Sequence, residues 1–261
     1  MRHTKPRVYL IAATELRHEE VKAWLQSLGG LKVLDTMSGC DGEQLIELAA
    51  RRCYKSFDVG LNPNITKVRT DSGEYHNNIL KQRHGSVLAH AHVTFAFEDV
   101  SRVYTHEVVR NSIGNDLSQE SLRYVRLNDI PFWFPPEIVN DAEACEKFVE
   151  VIHYLEGVQR WLASHFKIDE MKDFNLKKKL TSTFRRVAPM GLATGIVVTF
   201  NIRSLRWIIE QRTSRHAEHE IRLVFNEVAH IAVREWPYLF QDFTFTEVDG
   251  AREWTPQYSK V

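Results

Sequence analysis

Apolar and polar positions alternate along the first third of the chain in patterns that predict short strands and amphipathic helices. The apolar run at residues 8–13 predicts a buried strand. Residues 55–73 carry glycine, proline and asparagine, and this composition predicts a loop. Elsewhere apolar residues recur at helical spacing. The predicted helices span residues 17–28, closed by Gly29 and Gly30, then 43–54 and 74–83.

The middle of the chain changes from one period to the other. Alternating β-forming residues at 86–97 predict a strand. Ser101 is a typical N-cap residue and predicts a helix that runs to about Asn111. Glycine, asparagine and aspartate within 113–120 predict a break in that helix. A short strand is predicted at 122–127, and the prolines that follow it end the segment.

Helical periodicity dominates the second half of the chain. The predicted helices span 137–165, as one helix or two stacked ones, then 175–186, 203–213 and 217–236. The β-branched run at 196–200 predicts a strand. Helices outnumber strands without alternating regularly with them, and no repeat or low-complexity linker is present. We therefore predict a single α+β domain, residues 1–261, with a substantial helical layer.

Composition narrows the classes of partner. Lysine plus arginine and aspartate plus glutamate each number 34, and the sequence pI is about 7.2. This balance argues against a dedicated nucleic-acid binder. The three cysteines follow no zinc or disulfide spacing, which favours a reducing compartment. The N-terminal apolar run is short for a signal peptide, and no stretch is long enough to span a bilayer. We expect a soluble, cytoplasmic protein that binds neither membranes nor nucleic-acid polymers.

Two polar runs, at 101–124 and 201–212, place arginines beside apolar residues. A charged side chain is costly there unless an anion or an acidic partner neutralises it. In a chain without net charge, this clustering predicts a site for a phosphorylated ligand.

The first polar run predicts two sets of side chains that face one way. Glu107 and Arg110 share one face of the predicted helix, with an acceptor and a forked donor one turn apart. Ser121 and Arg123 share one side of the predicted strand, where a guanidinium beside a hydroxyl suits a phosphate or a pyrimidine carbonyl. A surface ion pair and a solvated strand edge are the respective alternatives.

The second polar run contains a strand-to-helix junction. Arg212 completes the apolar stripe of the predicted 203–213 helix and therefore needs an acceptor. Asn201 and Arg203 lie at the helix start, where free backbone N–H groups favour anions. A salt bridge between Arg212 and a core carboxylate is the alternative.

Two pairs of histidines have spacings that zinc sites use. His90 and His92 would share one strand face, and His216 and His219 lie one helical turn apart. Neither pair has an evident third ligand, which favours structural histidines. The sequence contains no glycine-rich phosphate loop, nucleophile elbow or HExxH motif.

Between His84 and Arg222, more than half of the chain, the order of motifs resembles the flavin-dependent thymidylate synthase family. The motifs are H-x-S followed by T-F, then S-R-x-x-x-H with a later arginine, S-Q-E-S-x-R-Y-V, an arginine four residues before a proline, N-x-R-S-L and A-x-x-E-I-R. The matching positions are His84, Ser86, Thr94, Phe95, Ser101, Arg102, His106, Arg110, 118–125, Arg185, Pro189, 201–205, Arg212 and 217–222.

The resemblance implies the thymidylate synthase-complementing fold, a mixed sheet packed with long helices, in a homotetramer with active sites between subunits. It implies FAD, NADPH and 5,10-methylenetetrahydrofolate as cofactors and dUMP or UMP as substrate. Flavin contacts would come from His84, Ser86, Arg110, Asn111, Ser112, Gln119, Asn201, Arg203 and Trp207. Substrate contacts would come from Glu107, Arg110, Gln119, Glu120, Ser121, Leu122, Arg123, Arg185 and Arg212.

Two of these residues are the catalytic candidates that the resemblance implies. Arg212 would stabilise negative charge on the pyrimidine ring, which is electrostatic catalysis by a preorganised cation. Ser121 would lie close to the same ring.

The chain departs from the family pattern at three places. The family's R-H-R is replaced by Arg110-Asn111-Ser112, and eight residues instead of seven separate Ser112 from Ser121. Trp207 stands where the family often has a polar flavin contact. Glu107 replaces a glutamine, and an ionised carboxylate only accepts hydrogen bonds, which would favour a ligand with an additional hydroxyl.

The sequence leaves four hypotheses open. The first is FAD-dependent C5-methylation of uridine monophosphate, with dUMP to dTMP as the family's usual reaction. A specialised variant would methylate UMP instead. A non-catalytic nucleotide- or flavin-binding homologue is conceivable because the histidine and second arginine of R-H-R are missing. A zinc hydrolase that uses the histidine pairs is the fourth.

Overall fold

The computed structural model describes residues 1–111, 114–122 and 129–259. These residues form two compact units. The first unit contains residues 1–9, 96–110 and the described part of 117–198, and the second contains 10–95, the described part of 111–116, and 199–259.

The secondary structure confirms the α+β class. The strands are β1 (Arg2–His3), β2 (Arg7–Ala13), β3 (His92–Ser101), β4 (Asn115–Gln119), β5 (Pro131–Phe132), β6 (Ala193–Asn201), β7 (Phe243–Val248) and β8 (Ala251–Pro256). The α-helices are α1 (His18–Ser27), α2 (Asp41–Tyr54), α3 (Ser72–Lys81), α4 (Gly85–Leu88), α5 (Arg102–Val108), α6 (Pro136–Val139), α7 (Ala142–His165), α8 (Phe174–Phe184), α9 (Ile202–Arg212) and α10 (His219–Glu235). Short 3₁₀ helices cover Leu31–Asp35 and Arg185–Val187.

Hydrogen bonding joins the strands into three sheets. Four strands pair in the order β2-β3-β6-β4. In the first unit β1 pairs in parallel with β5. In the second unit β7 and β8 form an antiparallel pair that the sequence did not predict.

Most predicted helices are confirmed with boundaries shifted by a few residues. The predicted 137–165 helix is divided into α6 and α7. The division follows from capping, because Oδ1 of Asp141 accepts a hydrogen bond from the Ala144 N–H at 3.0 Å and so begins α7. Ser101 caps α5 as predicted, accepting from the Tyr104 N–H at 3.1 Å.

Two predictions for strands were wrong in part. The predicted buried strand 8–13 is β2, but Tyr9 and Ile11, which project from the same face of the strand, are 45% and 55% exposed, so the described residues do not cover that face. The predicted strand 86–97 begins only at His92, since residues 85–88 form the helical turn α4. Val87 and Leu88 are buried there, and a single helical turn also places adjacent apolar residues inside.

The segment predicted as a break, 113–120, contains strand β4. Gly114 has φ +74°, a left-handed turn that leads the chain into β4. A Cβ at this position would lie 2.3 Å from Nδ2 of Asn201, so only glycine fits. The Gly114 carbonyl accepts from the Asn201 N–H at 3.2 Å. The rest of the predicted 122–127 strand, residues 123–127, lies outside the described residues.

Each unit has an apolar core of its own. In the first unit the core cluster contains Ile130, Phe132, Phe134, Ile152 and Leu192. In the second it contains Leu16, Leu25, Val33, Leu48 and Phe57. A fully buried aliphatic or aromatic side chain contributes about 1.5–3 kcal/mol relative to leaving it exposed, so each cluster stabilises the unit that contains it.

A buried ion pair holds α9 in the second unit. Arg206 donates to both carboxylate oxygens of Asp242, at 2.8 and 2.9 Å, and also to the Leu239 carbonyl. The two side chains are 4% and 2% exposed. Removing one partner would leave the other as an uncompensated buried charge.

We therefore expect Asp242→Ala to lower the free energy of unfolding by about 3–5 kcal/mol, because it leaves Arg206 buried without its carboxylate. Denaturant unfolding of the purified protein measures this change. Glu235→Ala removes the exposed pair between Arg234 and Glu235 and serves as the control, with an expected loss below about 1 kcal/mol. Equal losses in both variants would contradict a special role for the buried pair.

Candidate functional site

The first unit contains a polar cleft with a volume of about 420 Å³. Its walls come from α5, the end of β4 and the 3₁₀ turn after α8. The lining residues are Arg102, His106, Gln119, Glu120, Ser121, Leu122, Arg185, Arg186, Ala188, Pro189 and Met190. Five residues of the predicted substrate site, Gln119, Glu120, Ser121, Leu122 and Arg185, therefore line one cleft.

Hydrogen bonds to α5 hold the 119–120 segment in place. Nε2 of Gln119 donates to the Thr105 hydroxyl at 2.8 Å, and Nη2 of Arg102 donates to the Glu120 carbonyl at 2.9 Å. The Arg102 N–H in turn donates to the Leu192 carbonyl at 3.0 Å. Hydrogen bonds within the first unit therefore hold Arg102, Gln119 and Glu120 in place at the cleft wall.

The electrostatics of this cleft favour an anion. Partial burial lowers the pKa of the Arg102 guanidinium; the charge of Glu120 opposes this shift, and the smaller effect of the Arg185 charge adds to it. Nε of Arg102 is buried and has no hydrogen-bond partner among the described residues. Three arginines, Arg102, Arg185 and Arg186, line the cleft with one glutamate, and this excess of positive charge suits a phosphate.

The Glu120 carboxylate offsets part of this positive charge, and its effect on Arg102 is larger than that of Arg185. Its Oε2 lies 3.3 Å from the Thr194 hydroxyl and 3.4 Å from the Gly195 N–H, so it accepts hydrogen bonds from β6. The bonds commit the carboxylate to the neighbouring strand.

In the second unit, the junction of β6 and α9 is held by a polar cluster. Oδ1 of Asn201 caps α9 by accepting from the Ser204 N–H at 2.8 Å. The Ser204 hydroxyl donates to Oδ1 of Asn115 at 2.9 Å. Asn201 is thus placed by capping and by its close approach to Gly114.

Arg212, the last residue of α9, is oriented by an amide. Its Nε and Nη2 donate to Oδ1 of Asn111 at 2.8 and 2.6 Å, and Asn111 is 7% exposed. The predicted need for an acceptor is confirmed, and an asparagine supplies these two bonds where a core carboxylate was the alternative. The family resemblance implies a flavin contact for Asn111. The pairing of Asn111 with Arg212 could not be predicted, because the two residues are 101 positions apart in the sequence.

The remaining predicted flavin residues occupy exposed or half-buried positions. Arg203 and Trp207 are exposed on α9, one turn apart. His84 is half-buried beside Tyr54, with ring centroids 5.8 Å apart, and Ser86 is exposed on α4.

In the first unit Arg110 is exposed after α5, and Glu107 is half-buried within it. Neither residue lines the cleft. Ser112 and Arg123 lie outside the described residues.

Three cleft residues with ionisable side chains were not predicted to be functional: Arg102, His106 and Arg186. The first two stand in the S-R-x-x-x-H motif, so the motif contained a signal that had not been assigned a role. Arg186 had none beyond its position next to Arg185.

The described residues contain neither a metal-binding cluster nor a membrane-spanning helix. No three histidine, cysteine, aspartate or glutamate side chains among them lie together as a metal site would require. In the same part of the chain, every helix is too short or too polar to cross a membrane.

Comparison with known proteins gives the family. The family described as thymidylate synthase complementing protein matches residues 32–238. A flavin-dependent thymidylate synthase of Mycolicibacterium vanbaalenii is 35% identical over 243 residues, 91% of this chain and 89% of the relative. The enzyme of the same name from Mycobacterium marinum is 32% identical over 256 residues, 96% of each chain.

Solved structures share the fold. Thymidylate synthase X of Helicobacter pylori, solved with FAD and dUMP, has a TM-score of 0.57 at 18% identity, over 91% of this chain and 98% of that one. The UMP/dUMP methylase PolB of Streptomyces cacaoi, solved with 5-Br UMP, has a TM-score of 0.61 at 14% identity, over 92% and 95%.

We expect inorganic phosphate to stabilise the protein through the cleft in the first unit. At about 100 times its Kd, phosphate stabilises a protein by about 2.7 kcal/mol, which raises the Tm of a chain of this size by about 5–10 °C. Arg102→Gln and Arg185→Gln should each remove most of this shift, because each removes one guanidinium of the cleft. Thermal unfolding with and without phosphate measures it.

The matched control is Arg234→Gln, which replaces an exposed arginine of α10. It should keep the full shift. An unchanged shift in both cleft variants would show that phosphate acts elsewhere.

Proposed function

This chain belongs to the thymidylate synthase complementing protein family and is an enzyme of the flavin-dependent thymidylate synthase type, and we propose that it methylates C5 of a uridine monophosphate, converting dUMP to dTMP. It uses FAD, takes the one-carbon unit from 5,10-methylenetetrahydrofolate and takes reducing equivalents from NADPH. The observation that carries this proposal is the cleft that Arg102, Arg185 and Arg186 line together with Gln119 and Ser121.

The cleft supports the nucleotide part of the proposal. A nucleoside monophosphate carries two negative charges on a compact group, which two guanidiniums bind with several charge-assisted hydrogen bonds. Ser121 and Gln119 add a hydroxyl and an amide to the same cleft. These neutral groups suit the sugar and the pyrimidine carbonyls.

Arg212 supports the chemical part of the proposal. Negative charge develops on N3 and O4 of the pyrimidine when C5 becomes a nucleophile, and a preorganised cation lowers the energy of that state. The bonds to Asn111 restrict Arg212 to one orientation, so little reorganisation is needed during the reaction. Ser121 is retained as the second catalytic candidate because its hydroxyl lies in the cleft.

The residues that would hold FAD fit that group. Trp207 offers an exposed indole one helical turn from the exposed Arg203, so an aromatic surface and a cation lie side by side on α9. His84, Ser86, Asn111, Gln119 and Asn201 would add hydrogen-bonding groups. When bound, FAD supplies the hydride-transfer chemistry that no side chain provides.

A homotetramer is part of the proposal. The long helix α7 exposes apolar side chains along one side: Phe148, Val151, Tyr154 and Trp161. Exposed apolar surface of this extent is typical of subunit interfaces. A second copy of the chain would cover this surface and form part of a closed oligomer. The cytoplasm is the compartment that we propose for the enzyme.

UMP is the second candidate substrate. The observation in its favour is the half-buried Glu107, which stands where the family has glutamine. A carboxylate accepts hydrogen bonds from hydroxyls, and the ribose of UMP has one hydroxyl more than that of dUMP. The similarity in fold to a UMP/dUMP methylase agrees with this alternative.

Release of tritium from 5-tritiated uridylate tests the proposed function. We expect a yellow protein that releases tritium from dUMP only when FAD, NADPH and methylenetetrahydrofolate are all supplied. The ratio of kcat/KM for UMP and dUMP decides the sugar preference. A colourless protein that releases no tritium from either nucleotide would contradict the proposed function.

Substitutions at Arg212 and Asn111 test the electrostatic role. Arg212→Ala should lower kcat by at least about 100-fold, because it removes the cation. Asn111→Ala keeps the cation but frees its orientation, and should lower kcat by about 10-fold with little change in KM. Tritium release gives both values. Arg215→Ala, an exposed arginine nearby in sequence, is the control, and an unchanged kcat in Asn111→Ala would contradict the positioning role.

A further inference from the structure

A second polar cleft, in the second unit, is not used by the function proposed above. Its volume is about 470 Å³. It lies between the end of α2, the 65–69 segment and α3. The lining residues are Ala50, Arg51, Tyr54, Ser56, Ile65, Lys67, Val68, Arg69, Tyr75, Asn78, Ile79, Gln82, Arg83 and His84. Among these described residues none is acidic.

Arg51 is structural and does not explain the cleft. It is 1% exposed and donates to Glu47 Oε1 and to the carbonyls of Ser56 and Arg69, at 2.8–3.0 Å. Its guanidinium also lies 4.2 Å from the centre of the Tyr75 ring. Arg51 and Glu47 neutralise each other, so the charge of this lining arginine is already paired.

The exposed cations of the cleft are a different set. Lys67 and Arg69 come from the extended segment before α3, and Arg83 follows the end of α3. Arg69 shares a loose ion pair of 3.3 Å with the exposed Glu74. Lys67 and Arg83 thus add positive charge at solvent-exposed positions, where an anionic ligand reaches them.

The backbone at Arg83 adds a second observation. Arg83 has φ +54°, a left-handed conformation that disfavours residues with a Cβ. The His84 N–H donates to the Ile79 carbonyl at 3.0 Å and closes the end of α3. A glycine or asparagine would fit this position with less strain.

The other lining groups define the shape of the ligand. Tyr54 is 55% exposed and meets His84 edge-on, which leaves an aromatic surface at the cleft mouth. Asn78 and Gln82 present side-chain amides on α3. Together these groups match a chain that has an aromatic ring, amide bonds and several carboxylates.

We infer that this cleft binds the polyglutamyl tail of the folate cosubstrate, with Lys67 and Arg83 on its carboxylates. The inference rests on the proposed function, because His84 is the flavin contact that would place the cleft beside the reacting groups. A p-aminobenzoyl ring followed by γ-linked glutamates has the required aromatic ring, amides and repeated negative charges. The phosphate of NADPH shares only the negative charge with this tail. Binding of NADPH in the cleft is therefore treated as an alternative outcome of the test.

The test compares methylenetetrahydrofolate with one and with three glutamates in the tritium-release assay. In the unaltered enzyme we expect the KM of the triglutamate to be about fivefold lower, since each exposed charge pair contributes modestly. In Lys67→Gln/Arg83→Gln the two KM values should become equal, while kcat and FAD content stay unchanged. Glutamine removes the positive charge of each residue while keeping a polar, hydrogen-bonding side chain, although it is shorter than lysine or arginine.

The matched control is Arg17→Gln/Lys22→Gln, which removes two exposed cations at α1 and should keep the preference for triglutamate. Equal KM values in the unaltered enzyme would overturn the inference. A variant that loses discrimination between NADPH and NADH would assign the cleft to the nicotinamide cofactor, and a loss of FAD would assign it to the flavin. Either result would also overturn it.

Failure of the proposed function is distinguishable from failure of this inference. If no folate supports tritium release, the proposed reaction is wrong. The binding of mono- and triglutamyl folate to the full chain, measured by calorimetry, then decides the inference. Tighter binding of the triglutamate that is lost in the double variant supports it, and equal binding overturns it.

Discussion

The convergence of Arg102, Arg185 and Arg186 on one cleft is the constraint on which the proposed chemistry depends. Burial opposes the charged state of Arg102 and the nearby Arg185 adds to that cost, but the charge of Glu120 offsets more than Arg185 adds, and a guanidinium does not lose its proton at physiological pH. The guanidinium also donates to the Glu120 carbonyl. A bound dianion would attract all three guanidiniums, which is why we propose a phosphate as the ligand of this cleft.

Partners differ among the arginines of this chain. Arg51 and Arg206 are buried with Glu47 and Asp242, and their charge is cancelled within the second unit. Arg212 is half-buried and donates to the neutral amide oxygen of Asn111, which orients the guanidinium. A histidine at position 111, as in the family pattern, would offer a different partner, so the altered motif changes how the cation is held.

The sequence by itself determined the helices, the caps and the family. Helical periodicity located α1, α2, α9 and α10 within a few residues, because the apolar face of a helix that packs inside consists of residues three or four positions apart. Capping chemistry also acts over three residues, so Ser101 began α5 as predicted. The motifs identified Gln119, Ser121 and Arg185 as members of one site, and these three residues do line one cleft.

Only the tertiary structure decided which charges meet and which strands pair. The helix breaks where the sequence predicted, but strand β4 within the 113–120 segment was not predicted, because its partner β6 lies about 80 residues further along the chain. Arg102 lines a cleft with Arg185, and Arg212 is oriented by Asn111, across similar separations. Strand pairing and charge neutralisation are interactions through space, whereas periodicity and capping act along the chain, and a single sequence records only the latter directly.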